Sequence, residues 1–188
     1  VDTIVHSHVL EHVYEPNVFL SHISDFLLDG QKVIFSLPNM EVMLKRKYNN
    51  CINFEHTVLM SEPYVEHLLS KHGFRQLDKM YFKDDHSIFY AYVKDPNSVE
   101  VTLAIDLYSH NKRLYIDYIN YHKELILDLN KKMLVLDNDK PIYLFGAHIF
   151  SQYLISFGLN TDKIVCLLDN DEKKQGKRLY GSNLLVES

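Results

Sequence analysis

Residues 98–137 contain neither proline nor glycine, and apolar side chains recur there at three- and four-residue spacing: Leu103, Leu107, Leu114, Tyr118, Tyr121, Leu125, Leu129, Met133 and Leu136. Such a stripe specifies a long amphipathic helix, roughly 55–60 Å from end to end at 1.5 Å per residue if it is continuous. Only His110 interrupts the stripe, so a break at Ser109-His110-Asn111 is the alternative. A helix of this kind serves as a spacer or a dimer surface rather than a reactive site. It therefore divides the chain into three expected parts: 1–97, a helical linker at 98–138, and 139–188.

The first part alternates strand and helix patterns. Thr3–His6 reads as a short buried strand, and Asn17–Leu28 as a helix closed by Asp29-Gly30. Lys32–Leu37 reads as a second strand stopped by Pro38-Asn39. Ser61 is placed to cap a helix running to His72, with Glu62 and Pro63 in its first turn and Gly73 at its end. Phe74–Lys83 and Ser87–Val93 read as a closing antiparallel pair. The third part begins a βαβ unit: strand Pro141–Phe145, helix Ala147–Phe157, strand Lys163–Leu168. The expected class is α/β, and both ends of the chain read as cut.

Composition narrows the function classes. With 46% apolar and 24% charged residues, 13 Tyr and 10 Phe, the chain is globular and neither disordered nor fibrous. A net charge of −5 implies no basic surface for nucleic acid. No apolar run approaches the length of a membrane span. Cys51 and Cys166 lie far apart, the pattern of a reduced, cytoplasmic protein. The 6 glycines are few, and only Gly146 follows an apolar strand directly. A glycine-rich nucleotide loop is therefore not legible in these residues.

The densest group of chemically active side chains is His6-Ser7-His8-Val9-Leu10-Glu11-His12. His8-x-x-Glu11-His12 satisfies an inverted zinc-peptidase pattern, which needs both histidines on one long helix. A strand pattern precedes it directly and Pro16 follows, so zinc hydrolysis is the lesser reading and no metal is expected. The same residues also read as the end of a strand and its following turn, where open α/β sheets hold ligands.

In that context Asp2-x-Ile4, Val9-Leu10-Glu11-His12-Val13-x-x-Pro16, Leu27-x-x-Gly30 and Ser36-x-Pro38-Asn39 resemble the second half of a class I S-adenosylmethionine-dependent methyltransferase. Ile52-Asn53-Phe54-Glu55-His56, with Ser61 and Gly73-Phe74 after it, is similar to the Glu-His segment of nucleotide-sugar C-methyltransferases. Phe145-Gly146-Ala147 and Leu168-Asp169-Asn170-Asp171, with Lys174, Gly176 and Gly181, resemble the Rossmann-like C-terminal domain of those enzymes. The resemblance implies a partial class I methyltransferase sheet, a helical linker and a βαβ Rossmann-like unit.

The resemblance also implies the chemistry. Methylating a carbon next to a ketone requires a base, and histidine titrates near ~6.5 when unperturbed. His56 is the expected base, Glu55 its orienting or proton-donating neighbour, and Asn53 stands where related enzymes often have tyrosine. His6, Ser7 and His8 would form one wall of the cofactor site. The family's glycine loop and ribose-binding acid would lie upstream of Val1, so this chain alone is expected to bind S-adenosylmethionine weakly and to be inactive. Gly146, Ala147, His148 and Asp169 have the layout of a nucleotide-sugar site, with helix-start amides for phosphate and an acid for ribose. The expected partner is a nucleotide-sugar substrate, with self-association through the long helix or an exposed sheet edge. A non-catalytic nucleotide-sugar-binding or assembly module is the competing reading.

Overall fold

A computed structural model describes residues 1–49, 51–52, 55–136 and 140–188, which divide into two compact units, 1–115 and 116–188. In the first, Thr3–Ser7 (β1) and Lys32–Pro38 (β2) pair in parallel, Thr3 opposite Lys32 and Ser7 opposite Ser36. Parallel neighbours need a crossover, and Pro16–Phe26 (α1) supplies it, with Pro16 pre-set in the first turn. Gly30 turns the chain into β2 with φ +82°, a conformation that favours glycine, and its N–H donates to the Lys94 carbonyl at 2.9 Å.

Phe74–Phe82 (β3) and Ser87–Lys94 (β4) form the expected hairpin, and β4 also pairs antiparallel with β2. The sheet order is β1-β2-β4-β3, so the one reversed strand lies between two that run the same way. Lys83, Asp84 and Asp85 at the hairpin tip all have positive φ, strained positions for residues with side chains.

Side chains two apart along a strand share a face. On one face His6, Val33, Phe35, Tyr90 and Tyr92 meet Leu20, Ile23 and Leu27 from α1 and its end, and Val65, Leu68 and Leu69 from Glu62–Lys71 (α3). Phe35 stacks on Tyr90 with ring centroids 5.1 Å apart. Each large side chain buried here contributes about 1.5–3 kcal/mol. The opposite face carries Val5, Ile34, Met80 and Phe89, all exposed.

Four expectations need adjustment. Met40–Lys45 (α2), capped by the Asn39 side chain, was not anticipated. Ser61 occupies the N-cap of α3, but its hydroxyl makes no capping bond and accepts from Asn111 at 3.2 Å instead. The long helix, Leu107–Leu134 (α4), begins at 107 rather than 98 and runs unbroken through Ser109-His110-Asn111. The hydroxyl and amide side chains there are tolerated because the backbone ladder does not depend on them.

In the second unit Ile142–Phe145 (β5), Ile164–Leu168 (β6) and Val186–Glu187 (β7) make a parallel sheet in that order. Ile149–Ser156 (α5) joins β5 to β6. The fourth adjustment lies here: α5 starts at Ile149, with His148 as its N-cap, rather than at Ala147. Ile126 from α4, Leu154 and Leu159 pack on Ile164, and Ala147 and Leu179 pack on Leu167 and Val186. Among the described residues no helix is long and apolar enough to cross a membrane.

Candidate functional site

The carboxyl end of β1 turns sharply. His8 takes φ +52°, and its N–H donates to the Ser36 carbonyl at 3.0 Å, which ends the strand on its neighbour. Leu10–His12 then makes one 3-10 turn that drives Leu10 into the core and carries Glu11 to 2% exposure. Hence His8 and His12 do not share a long helix, the geometry the inverted zinc-peptidase pattern requires.

A second segment is strapped against this turn. The Glu11 carbonyl accepts from the Thr57 and Val58 N–H groups at 2.9 and 3.3 Å. The Glu55 carbonyl is 2.8 Å from His12 Nδ1, and the Cys51 carbonyl is 3.0 Å from His56 Nδ1. A carbonyl oxygen only accepts, so each Nδ1 carries a proton, and Nε2 is the atom that offers a lone pair when the ring is neutral. The two rings are 5.2 Å apart. One ligand atom from each of Glu11, His12 and His56 lies within 4.8 Å of the others.

The Glu11 carboxylate sits at the centre. Its Oε1 is 3.0 Å from His8 Nδ1 and 3.9 Å from His12 Nε2, while Oε2 is buried without a hydrogen-bond partner. No lysine or arginine pairs with it among the described residues. Cys51, which lends its carbonyl, has a thiol pushed up to about 12 by burial, so it is not a nucleophile.

The structure brings together some of the expected residues and separates others. His56 and the Glu55 backbone join Glu11 and His12, while the Glu55 side chain is exposed. Asn53 lies outside the described residues. Of the three expected cofactor residues only His8 meets the cluster. His6 lies on the helix-covered face, stacked on Phe35 at 5.1 Å, and burial lowers its pKa. Ser7 lies on the other face, where its Oγ bonds Ser36 Oγ at 2.7 Å. His8 also borders a cavity of about 480 Å³ with Tyr48, Phe82, Lys83, His86 and Phe89. No pattern in the sequence marks Tyr48 or His86 as its neighbours, nor the carbonyls of Cys51 and Glu55 as histidine anchors.

In the second unit Gly146 (φ +96°) leaves β5, with its N–H on the Leu168 carbonyl at 2.7 Å. Asp169 Oδ2 accepts from the Ala147 N–H at 2.7 Å and from Lys174 Nζ at 3.0 Å, and Oδ1 accepts from the Asp171 N–H at 2.9 Å. These donors, the Asp171 amide foremost, hold its pKa below the ordinary carboxylate value. Gly146, Ala147 and Asp169 are thus drawn into one turn, with exposed His148 at its outer side.

No family model matches the chain, and no curated protein matches it. Twenty-two chains of solved structure do. One is the crystal structure of magnesium protoporphyrin IX methyltransferase (ChlM) from Synechocystis PCC 6803 with bound SAH, at 19% sequence identity and a TM-score of 0.39. The match covers 50% of this chain and 45% of that one, so the chain spans less than half of that protein's length.

Proposed function

We propose that this chain carries the rear half of an S-adenosylmethionine-dependent methyltransferase sheet, and that the enzyme methylates a carbon of a nucleotide-linked keto sugar. The order β1-β2-β4-β3, with β4 alone reversed, supports this reading, because it is the order expected of that half of the resembled sheet. The observation that carries it is His56 beside His12 at the carboxyl edge of β1, its Nδ1 pinned by the Cys51 carbonyl.

That pinning selects the tautomer a base requires. His56 Nε2 takes the proton from the carbon next to the ketone, and the electrons of that C–H bond move onto the keto oxygen as an enolate. The nearby Glu11 carboxylate favours the imidazolium that results. S-adenosylmethionine, when bound, supplies an electrophilic methyl group, its sulfur keeping the electron pair of the broken bond. Of the residues expected around it, His8 stands at the open strand end and fits one wall. The cavity bordered by His8, Tyr48 and His86 is within the usual size range of small-molecule sites, about 300–1,000 Å³, and takes the sugar end of the acceptor.

In the full-length enzyme, His56→Ala lowers kcat by at least about 100-fold, the ordinary worth of a positioned base. It also stops solvent deuterium exchange at the acceptor carbon and leaves S-adenosylmethionine affinity unchanged. Turnover and exchange at wild-type rates would overturn the assignment.

A further inference from the structure

We infer that Glu11, His12 and His56 form a binding site for one divalent cation of the zinc class. Three observations converge on it. First, the donors are a carboxylate and two imidazoles whose ligand atoms already lie within 4.8 Å of one another. Two histidines and a glutamate make one of the recurring three-residue zinc sets, which leaves a fourth position open. Imidazole donors favour zinc, cobalt or nickel over calcium or magnesium.

Second, both rings are held as metal-bound histidines are. Each gives its Nδ1–H to a backbone carbonyl, Glu55 for His12 and Cys51 for His56, which orients the ring and raises the basicity of Nε2. The Thr57 and Val58 amides, which follow His56 directly in the chain, donate to the Glu11 carbonyl. The anchors and the third ligand therefore belong to one hydrogen-bonded unit.

Third, one oxygen of Glu11 is left unmet, and among the described residues no lysine or arginine reaches the carboxylate. Its side chain is 3% exposed and its Oε2 has no hydrogen-bond partner. Leaving a buried acceptor unmet costs about 1–3 kcal/mol, and more when it is charged. His8, at 3.0 Å from Oε1, steadies the carboxylate from outside the set. Around a tetrahedral zinc with bonds of 2.0–2.2 Å, donor atoms stand about 3.4 Å apart. The 3.9 Å between His12 Nε2 and Glu11 Oε1 therefore closes by about half an ångström on binding.

This inference goes beyond the methyl-transfer reading and does not rest on it. A cation on His56 Nε2 takes the lone pair that a base needs, so the loaded and proton-accepting states exclude each other.

The test is a titration of the chelator-treated 188-residue chain with Co²⁺, followed by the visible ligand-field absorption of the bound ion, with Zn²⁺ as competitor. The expected result is one Co²⁺ per chain displaced by one Zn²⁺, with affinity falling at least about 100-fold in Glu11→Gln and in the half-exposed His56→Ala. His148→Ala binds as the wild type does, and circular dichroism confirms the fold of each variant. Absence of saturable binding overturns the site, as does binding that survives both Glu11→Gln and His56→Ala. Methyl transfer plays no part in the readout, so failure here leaves that reading standing.

Discussion

Glu11 and Asp169 occupy comparable places, each just past the carboxyl end of a strand in a parallel pair, and the chain treats them in opposite ways. Asp169 is met by two backbone amides and a lysine, so its charge is consumed in holding the turn after β6 against Ala147. Glu11 is met by imidazoles, and one of its oxygens is buried with no partner. An acid at a strand end is therefore not a site by position alone. What separates the two is whether the fold has already supplied the donors: a satisfied carboxylate closes a loop, while an unsatisfied one retains binding capacity.

The largest expected effect breaks the comparison directly. A ligand that binds only the folded state stabilises it by RT ln(1 + [L]/Kd), so Zn²⁺ at 100 times its Kd adds about 2.7 kcal/mol to the wild-type chain. Glu11→Gln removes that increment. Without cation the same variant is no less stable than wild type, because the cost of a buried carboxylate with one unmet oxygen offsets the loss of the charged His8 contact. Urea melts with and without Zn²⁺ read both effects, and equal responses of the two chains would end the contrast. Asp169→Asn behaves oppositely. It lowers the melting temperature of the second unit, speeds hydrogen exchange at the Ala147 and Asp171 amides, and leaves the Zn²⁺ response unchanged. Stability equal to wild type with unaltered exchange would show that Asp169 is not holding its turn.

The contrast also marks what the sequence makes legible. Elements with a strong apolar period were readable to within a few residues: β1, α1, β2, the β3–β4 hairpin and most of α4. Six-residue α2 and two-residue β7 are too short for a period to register, and they form because neighbouring elements supply their partners. His8, Glu11 and His12 stood out as a chemical cluster by proximity in sequence. Their convergence with His56, 44 residues beyond His12, depends on the amides of Thr57 and Val58 reaching the Glu11 carbonyl, and backbone hydrogen bonds leave no side-chain signature. Asp169 reads as a ribose ligand because of its spacing from Gly146, and spacing does not report that Lys174 and two amides also bind its carboxylate.

The smallest expected effect is a difference in acid sensitivity. His6 faces the rings of Phe19 and Phe35, and burial lowers its pKa although the Glu11 carboxylate pulls the other way. The folded state therefore favours the neutral ring. The unfolded chain takes up a proton first as pH falls below the ordinary histidine value of 6.5, so the stability His6 permits is intact above that value and lost below it. Asp169 works in a lower window. Its folded pKa lies below the ordinary value of 3.8, so its contribution is complete at neutral pH and is lost only as pH falls through and below the carboxylate range. His6→Leu should flatten the stability profile of the first unit between pH 7 and the carboxylate range, and Asp169→Asn should flatten that of the second unit at the acid end. Melts followed by amide signals from each unit separate the two windows, and a His6→Leu profile parallel to wild type above the carboxylate range would remove His6 as the cause.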